Sequence, residues 1–188
     1  MKVNIGVSRR HVHLTKEDVK ILFGEGYELT KFRDLSQPGQ YACNEKVILK
    51  GERGSIPDVR VLGPERDKTQ VEVTKTDCYR FGINAPVRNS GDLDDASKIT
   101  IIGPKGEITK NAAIIASRHL HINPTDAKKL GIIDKKFVTL KVGGEKPGIL
   151  ENVYVRVSDS FVYEVHLDTD DANAFLINNG DEAELIID

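Results

Sequence analysis

The stretch Ile115-Ala116-Ser117-Arg118-His119-Leu120-His121-Ile122, IASRHLHI, echoes Val7-Ser8-Arg9-Arg10-His11-Val12-His13-Leu14, VSRRHVHL. The chain has five histidines in 188 residues, and these two octets hold four of them. Both octets continue alike. After His13 come Leu14, then Thr15-Lys16-Glu17-Asp18 and a run to Gly24. After His121 come Ile122, then Asn123-Pro124-Thr125-Asp126 and a run to Gly131. The fifth histidine, His166, precedes Leu167, then Asp168-Thr169-Asp170-Asp171 and a run to Asn178-Asn179-Gly180. Thr, Asn and Asp are N-cap residues, an Asp three positions later suits the positive helix end, and Gly or Asn ends a helix. Pro124 falls at the first helical position, where its missing N–H costs nothing. The pattern predicts a strand–His–aliphatic–cap–helix corner that occurs three times, the third as a partial copy.

Outside these corners, short branched-aliphatic runs predict strands at Val3–Val7, Lys46–Leu49, Val59–Leu62, Val71–Thr74, Ile99–Ile102 and Ala112–Ala116. Further strands are expected at Phe137–Val142, Val153–Val157, Val162–His166 and Ala183–Ile187. Turn chemistry such as GERGS, GPKGE, VGGEKPG and NNGDE separates them. Many short strands between Gly-rich turns indicate a mostly β chain with short helices, built as barrels or sandwiches.

Composition narrows the function classes. Hydrophobic residues make up 39% and charged residues 30%, with a net charge of −2 and no basic block of the kind nucleic acid requires. No segment approaches the eighteen or so apolar residues of a membrane span, and the first fourteen residues lack a secretory apolar core. Cys43 and Cys78 form no CxxC and could pair in an oxidising compartment, but without a secretory signal reduced thiols and a cytoplasmic setting are expected.

In a strand, residues i and i+2 share a face, so each H-x-H sets two imidazoles side by side. That spacing suits two ligands on one metal, and imidazole favours zinc and other first-row divalent ions. Each pair needs a third ligand. His166 stands where the second histidine of a pair would be, with Glu164 at the place of the first, and it is able to complete either site. Glu72, in Thr69-Gln70-Val71-Glu72-Val73-Thr74, is the acidic candidate, with Glu164 as the alternative. His11, His13, Glu17 and Gly24 also match a cupin metal motif, but Thr15 to Phe23 reads as a capped helix rather than jelly-roll strands. Amidohydrolase barrels, which also carry an early H-x-H, need roughly 250 residues.

Two loop arginines are candidates for an anion. Arg66 follows a Gly-Pro turn six residues before Glu72, and Arg88 lies in NAPVRNSGDL beside Asn, Ser and Gly donors. Guanidinium forks match phosphate geometry.

The chain resembles the PduL-type phosphotransacylases, or phosphate propanoyltransferases, from Val3 to its C-terminus. The resemblance rests on SRRHVHLTKEDV, LSQPGQYACNEKV, VRVLGPERDKTQVEVTKTDCYRFGINAPVRNSGDL, SRHLHINPTDAKKLGI and EVHLDTDDANA. It implies exchange of acyl-CoA and phosphate for acyl phosphate and CoA. It also implies a fold of two β-barrel domains with short capping α-helices. One barrel would comprise residues 1–9 with 117–188, and the other residues 10–116 with a lid-like insertion around 24–44. Of two implied zinc ions, one would be held by His11, His13 and Glu72 and the other by His119, His121 and His166. A phosphate-contacting, catalytic arginine lands on Arg66, while Arg88 is assigned to phosphate by its chemistry alone. Partners are expected to be CoA or acyl-CoA, phosphate and further copies of the chain, with no nucleic acid and no membrane. Arg9 stands where the family commonly has Asn. Many members carry an amphipathic extension that targets them to a microcompartment; with the first strand beginning almost at once here, a cytoplasmic enzyme is the expectation rather than that targeting.

With every histidine assigned to metal, no Ser-His-Asp arrangement remains, and direct attack of phosphate on the thioester is expected rather than an acyl-enzyme. Cys43 and Cys78 are the competing nucleophiles. The competing functions are a metal-dependent hydrolase and a binding module with structural zinc.

Overall fold

The structure, a computed structural model, describes residues 1–187. Its elements begin with β1 (Lys2–Ser8), β2 (His11–His13), α1 (Lys16–Phe23), β3 (Lys31–Asp34), β4 (Tyr41–Lys50), β5 (Ser55–Gly63), β6 (Gln70–Glu72), α2 (Lys75–Phe81) and β7 (Val87–Arg88). They continue with β8 (Ser97–Ile102), β9 (Glu107–Ala116), β10 (His119–Ile122), α3 (Pro124–Leu130) and β11 (Phe137–Val142). The last are β12 (Gly148–Val157), β13 (Glu164–Asp168), α4 (Thr169–Ala174) and β14 (Glu182–Ile186). Two compact units result. The first contains Met1–Arg9, Ser36–Pro38 and the chain from Ser117 onward, and the second contains Arg10–Leu35 and Gly39–Ala116.

Each unit is a mostly-β barrel of six strands with its own core. In the first, the strands run β1-β13-β10-β12-β11-β14 and close on β1 around Val3, Ile5, Leu120, Leu140, Val155 and Val165. In the second, β4-β5-β2-β6-β9 closes through β8, which pairs with both β9 and β4. Val12, Leu49, Val61, Val71, Phe81 and Ile101 fill that interior. Alternation drives the burial: in β4, Val47 and Leu49 point in while Lys46, Ile48 and Lys50 point out.

One path recurs in both barrels. A short strand leads into a capped helix and then two hairpin strands, the second of which returns parallel to the first strand. It runs β2-α1-β4-β5, then β6-α2-β8-β9, then β10-α3-β11-β12. The fourth pass is β13-α4-β14, and the strand lying parallel to β13 is β1. The first strand of the chain therefore finishes the last repeat, which explains its place among C-terminal strands.

The caps follow the sequence pattern. The side chains of Thr15, Asn123 and Asp168 accept from backbone N–H groups of α1, α3 and α4. A fourth corner escaped the pattern: Thr74 and Asp77 form a capping box on α2, and Gly82 ends that helix in the left-handed region. Its strand carries Gln70 and Glu72 where the others carry histidine, so the histidine spacing does not point to it.

Two expectations need correction. The third predicted helix does not run to Asn178–Gly180; α4 stops at Ala174, because Phe175 turns onto Gly148 and Asn178–Asp181 forms a side-chain-bonded turn. The strand expected at Val162–His166 is β13 at Glu164–Asp168, because the amide of Gln37 takes both backbone groups of Val162.

Candidate functional site

Within each barrel the two ligand-bearing strands lie side by side and antiparallel. His11 faces Glu72 and His13 faces Gln70 across β2 and β6. In the same register, His119 faces His166 and His121 faces Glu164 across β10 and β13. Side chains i and i+2 share a face and cross-strand partners are about 5 Å apart, so four side chains converge in each barrel.

In the second unit, donor atoms of His11, His13 and Glu72 all lie within 4.8 Å of one another. His11 Nε2 is 3.4 Å from Glu72 Oε2, and the two imidazole rings stand nearly perpendicular with centres 5.0 Å apart. His13 is 3% exposed, and its buried Nδ1 makes no hydrogen bond. Burial, then the neighbouring charges of His11 and Arg66, hold its pKa well below the ordinary value. The ring is thus neutral at physiological pH, the state in which imidazole binds metal.

A polar chain connects this cluster to Arg66. Gln70 Nε2 donates to Glu72 Oε1 at 2.7 Å and to Ser90 Oγ at 2.9 Å, while Gly91 N–H donates to Gln70 Oε1 at 2.7 Å. Arg66 Nη1 donates to the same Ser90 Oγ at 3.2 Å, and its backbone N–H is tied to Leu14 O. Arg88, expected in a loop, instead ends the short strand β7, because it pairs with Ala116 of β9. Its Nε donates to Asp94 O and its Nη1 to Val87 O, with Asp95 3.5 Å from Nη2, so its fork pins the loop itself.

In the first unit, donors of His119, His121 and His166 lie within 4.8 Å of one another, with ring centres 4.7 to 5.0 Å apart. His119 Nδ1–H donates to Ser117 O at 2.8 Å, which leaves the lone pair on Nε2. Phe161 stacks on His121 at 4.0 Å and forms an apolar wall. Glu164 Oε2 lies 3.0 Å from His166 Nε2. Burial alone would raise the Glu164 pKa; contact with His166 and donation from Ser36 and Gln37 outweigh it and hold the carboxyl at about 2.

The structure thus groups His166 with His119 and His121, and Glu72 with His11 and His13. Both sets fit a divalent first-row ion: each offers three converging nitrogen or oxygen donors, and His13 presents a buried nitrogen with no hydrogen bond. Among the described residues these are the two such clusters.

The arginine before each H-x-H has a structural task that the sequence alone did not assign. Arg10 bonds Asp77 through Nε at 2.9 Å and Nη2 at 2.8 Å, and Arg118 grips Asp171 with two 2.8 Å bonds. In each case the arginine ties its own corner to the cap of the opposite helix. The arginine and the cap aspartate are both visible in sequence; their cross-repeat pairing is not. Gln70 and Ser90 were also missed, although Gln70 sits two residues before Glu72 and therefore on its face. Cys43 and Cys78 are buried and form no disulfide, and burial pushes the Cys43 pKa up to about 12. No helix among the described residues is long and apolar enough to cross a membrane.

Residues 4–178 match the family model of phosphate propanoyltransferase. The phosphate propanoyltransferase of Thermotoga maritima is 51% identical over 179 residues, spanning 94% of this chain and 85% of its own. That of Clostridioides difficile is 48% identical over 98% of this chain and 88% of its own, and that of Priestia megaterium 52% identical over 95% and 83%. The match takes in both clusters and every strand before β14, and the chain accordingly belongs to the phosphate propanoyltransferase family and is a phosphate acyltransferase.

Proposed function

We propose that the enzyme exchanges acetyl- or propanoyl-CoA and inorganic phosphate for acyl phosphate and CoA, with zinc held by His11, His13 and Glu72 and by His119, His121 and His166. The observation that carries the reading is the pair of three-donor clusters, one of them joined through Gln70 and Ser90 to Arg66. Bound at such sites, zinc supplies Lewis acidity toward a carbonyl oxygen and a soft partner for the CoA sulfur.

The residues of the chain do the rest. Arg66 presents a guanidinium fork to phosphate, and Ser90 holds one arm of that fork in place. A phosphate oxygen then forms its bond to the thioester carbonyl carbon, the C–S bond breaks, and the electron pair leaves with sulfur as CoA thiolate. Direct attack is favoured because the candidate protein nucleophiles are otherwise engaged. The histidines sit in the clusters, and Cys43 is buried with its thiol strongly disfavoured from ionising. Phosphate held by Arg66 next to the bound thioester turns a bimolecular step into an intramolecular one.

The test measures CoA release from propanoyl-CoA with zinc present, with and without phosphate. Phosphate-dependent release with stoichiometric acyl phosphate is expected. Release without phosphate would instead identify a hydrolase, and no release would identify a binding module with structural zinc.

A further inference from the structure

In each barrel the first residue of the second ligand strand touches the ligand two positions later. In the second unit this residue is Gln70, which donates to Glu72 at 2.7 Å. In the first it is Glu164, whose Oε2 is 3.0 Å from His166 Nε2. The strand register makes the two equivalent, since Gln70 faces His13 as Glu164 faces His121. Their chemistry is exchanged accordingly: an amide donor beside a carboxylate, and a carboxylate beside an imidazole. Each group of four side chains therefore carries a single carboxylate.

Glu164 is held in place from outside its own strand. Ser36 Oγ and Gln37 Nε2 both donate to Oε2, the latter at 3.1 Å. Gln37 is 3% exposed and is itself fixed, its amide exchanging two 3.1 Å hydrogen bonds with the backbone of Val162. Gly6, beside His166 in the sheet, leaves the room required: a Cβ there would lie 3.2 Å from Glu164 Cδ and 3.2 Å from His166 Nδ1. His166 Nε2, 3.0 Å from Glu164 Oε2, is buried and makes no aligned hydrogen bond.

We propose that Glu164 is the fourth side chain of the three-histidine cluster, fixed by Ser36 and Gln37 so that its negative charge tightens metal binding there. The inference rests on reading the cluster as a metal site. Three neutral imidazoles leave a divalent ion its full double charge, whereas the cluster with Glu72 reduces it to a single charge. Glu164 gives the first-unit cluster the same balance, and it acts as a positioning and charge-compensating group, not as a residue that touches substrate.

The experiment is competitive zinc titration of the full chain against a chromophoric chelator, comparing wild type with Glu164→Gln, Glu164→Ala and His119→Ala. His119→Ala identifies which of two binding events belongs to the first-unit cluster. Glu164→Gln keeps the shape and removes the charge, and it should weaken that event about 10- to 100-fold while leaving the other unchanged. Glu164→Ala should do at least as much, and the visible absorption of the cobalt-loaded protein should change only for the same site. Unaltered affinities in Glu164→Gln would overturn the charge role while leaving the metal reading intact. A wild-type chain that binds no metal would overturn both.

Discussion

The donor atoms do not contribute equally. His119 is oriented by a bond from Nδ1–H to Ser117 O, and its replacement removes one of three converging donors. His119→Ala should lower zinc content from about two ions per chain to about one and remove most of the turnover with it, read by metal analysis beside CoA release. Arg66 makes a different prediction, because it bonds Ser90 and belongs to neither three-donor cluster. Arg66→Gln should raise the phosphate KM or lower kcat about 10- to 100-fold, the worth of a charge-assisted hydrogen bond, with zinc content unchanged. Cys43 tests the competing covalent route. Both thiols are buried and burial pushes the Cys43 pKa up to about 12, so iodoacetamide should label neither until the chain is unfolded. Rapid labelling of native protein with loss of activity would reopen an acyl-enzyme.

At the scale of elements, local signals were legible and cross-strand ones were not. The His-to-cap offset located α1, α3 and the start of α4, because capping involves residues within four positions of each other. The fourth corner was hidden because Gln70 and Glu72 replace histidine, so the offset that marks the other helices did not mark α2. Glu72 was only a candidate ligand because its partner His11 is sixty-one residues away, brought opposite by sheet register. The grip of Ser36 and Gln37 on β13 depends wholly on tertiary placement. The hairpin glycines offer a direct test of the repeat. A Cβ at Gly51 would lie 2.3 Å from Phe81 O, and one at Gly103 2.4 Å from Leu22 O, where the hairpins cover the helix ends. Gly51→Ala and Gly103→Ala should each cost about 1–3 kcal/mol in urea unfolding, against within about 0.5 kcal/mol for Gly143→Ala, which faces open space.

Taken as a whole molecule, the chain is four passes of one strand-helix-hairpin path, two per barrel, with β1 completing the fourth. In the first unit Met1 and Leu185 exchange backbone hydrogen bonds, so the chain's first and last strands lie side by side. Joining the ends through a short linker and opening the chain at Gly143-Gly144, a turn with nothing packed on it, should preserve both cooperative melting and zinc stoichiometry. Loss of the first-unit metal alone would show that β1 must be made first. The central claim is that both clusters hold the metal on which phosphate-dependent acyl transfer relies. Its most direct test is to strip the enzyme with a chelator, remove the chelator, and follow CoA release from propanoyl-CoA and phosphate as zinc is returned. Activity should vanish in the stripped enzyme and return in full at about two zinc ions per chain; full activity in protein shown to be free of metal would contradict the account.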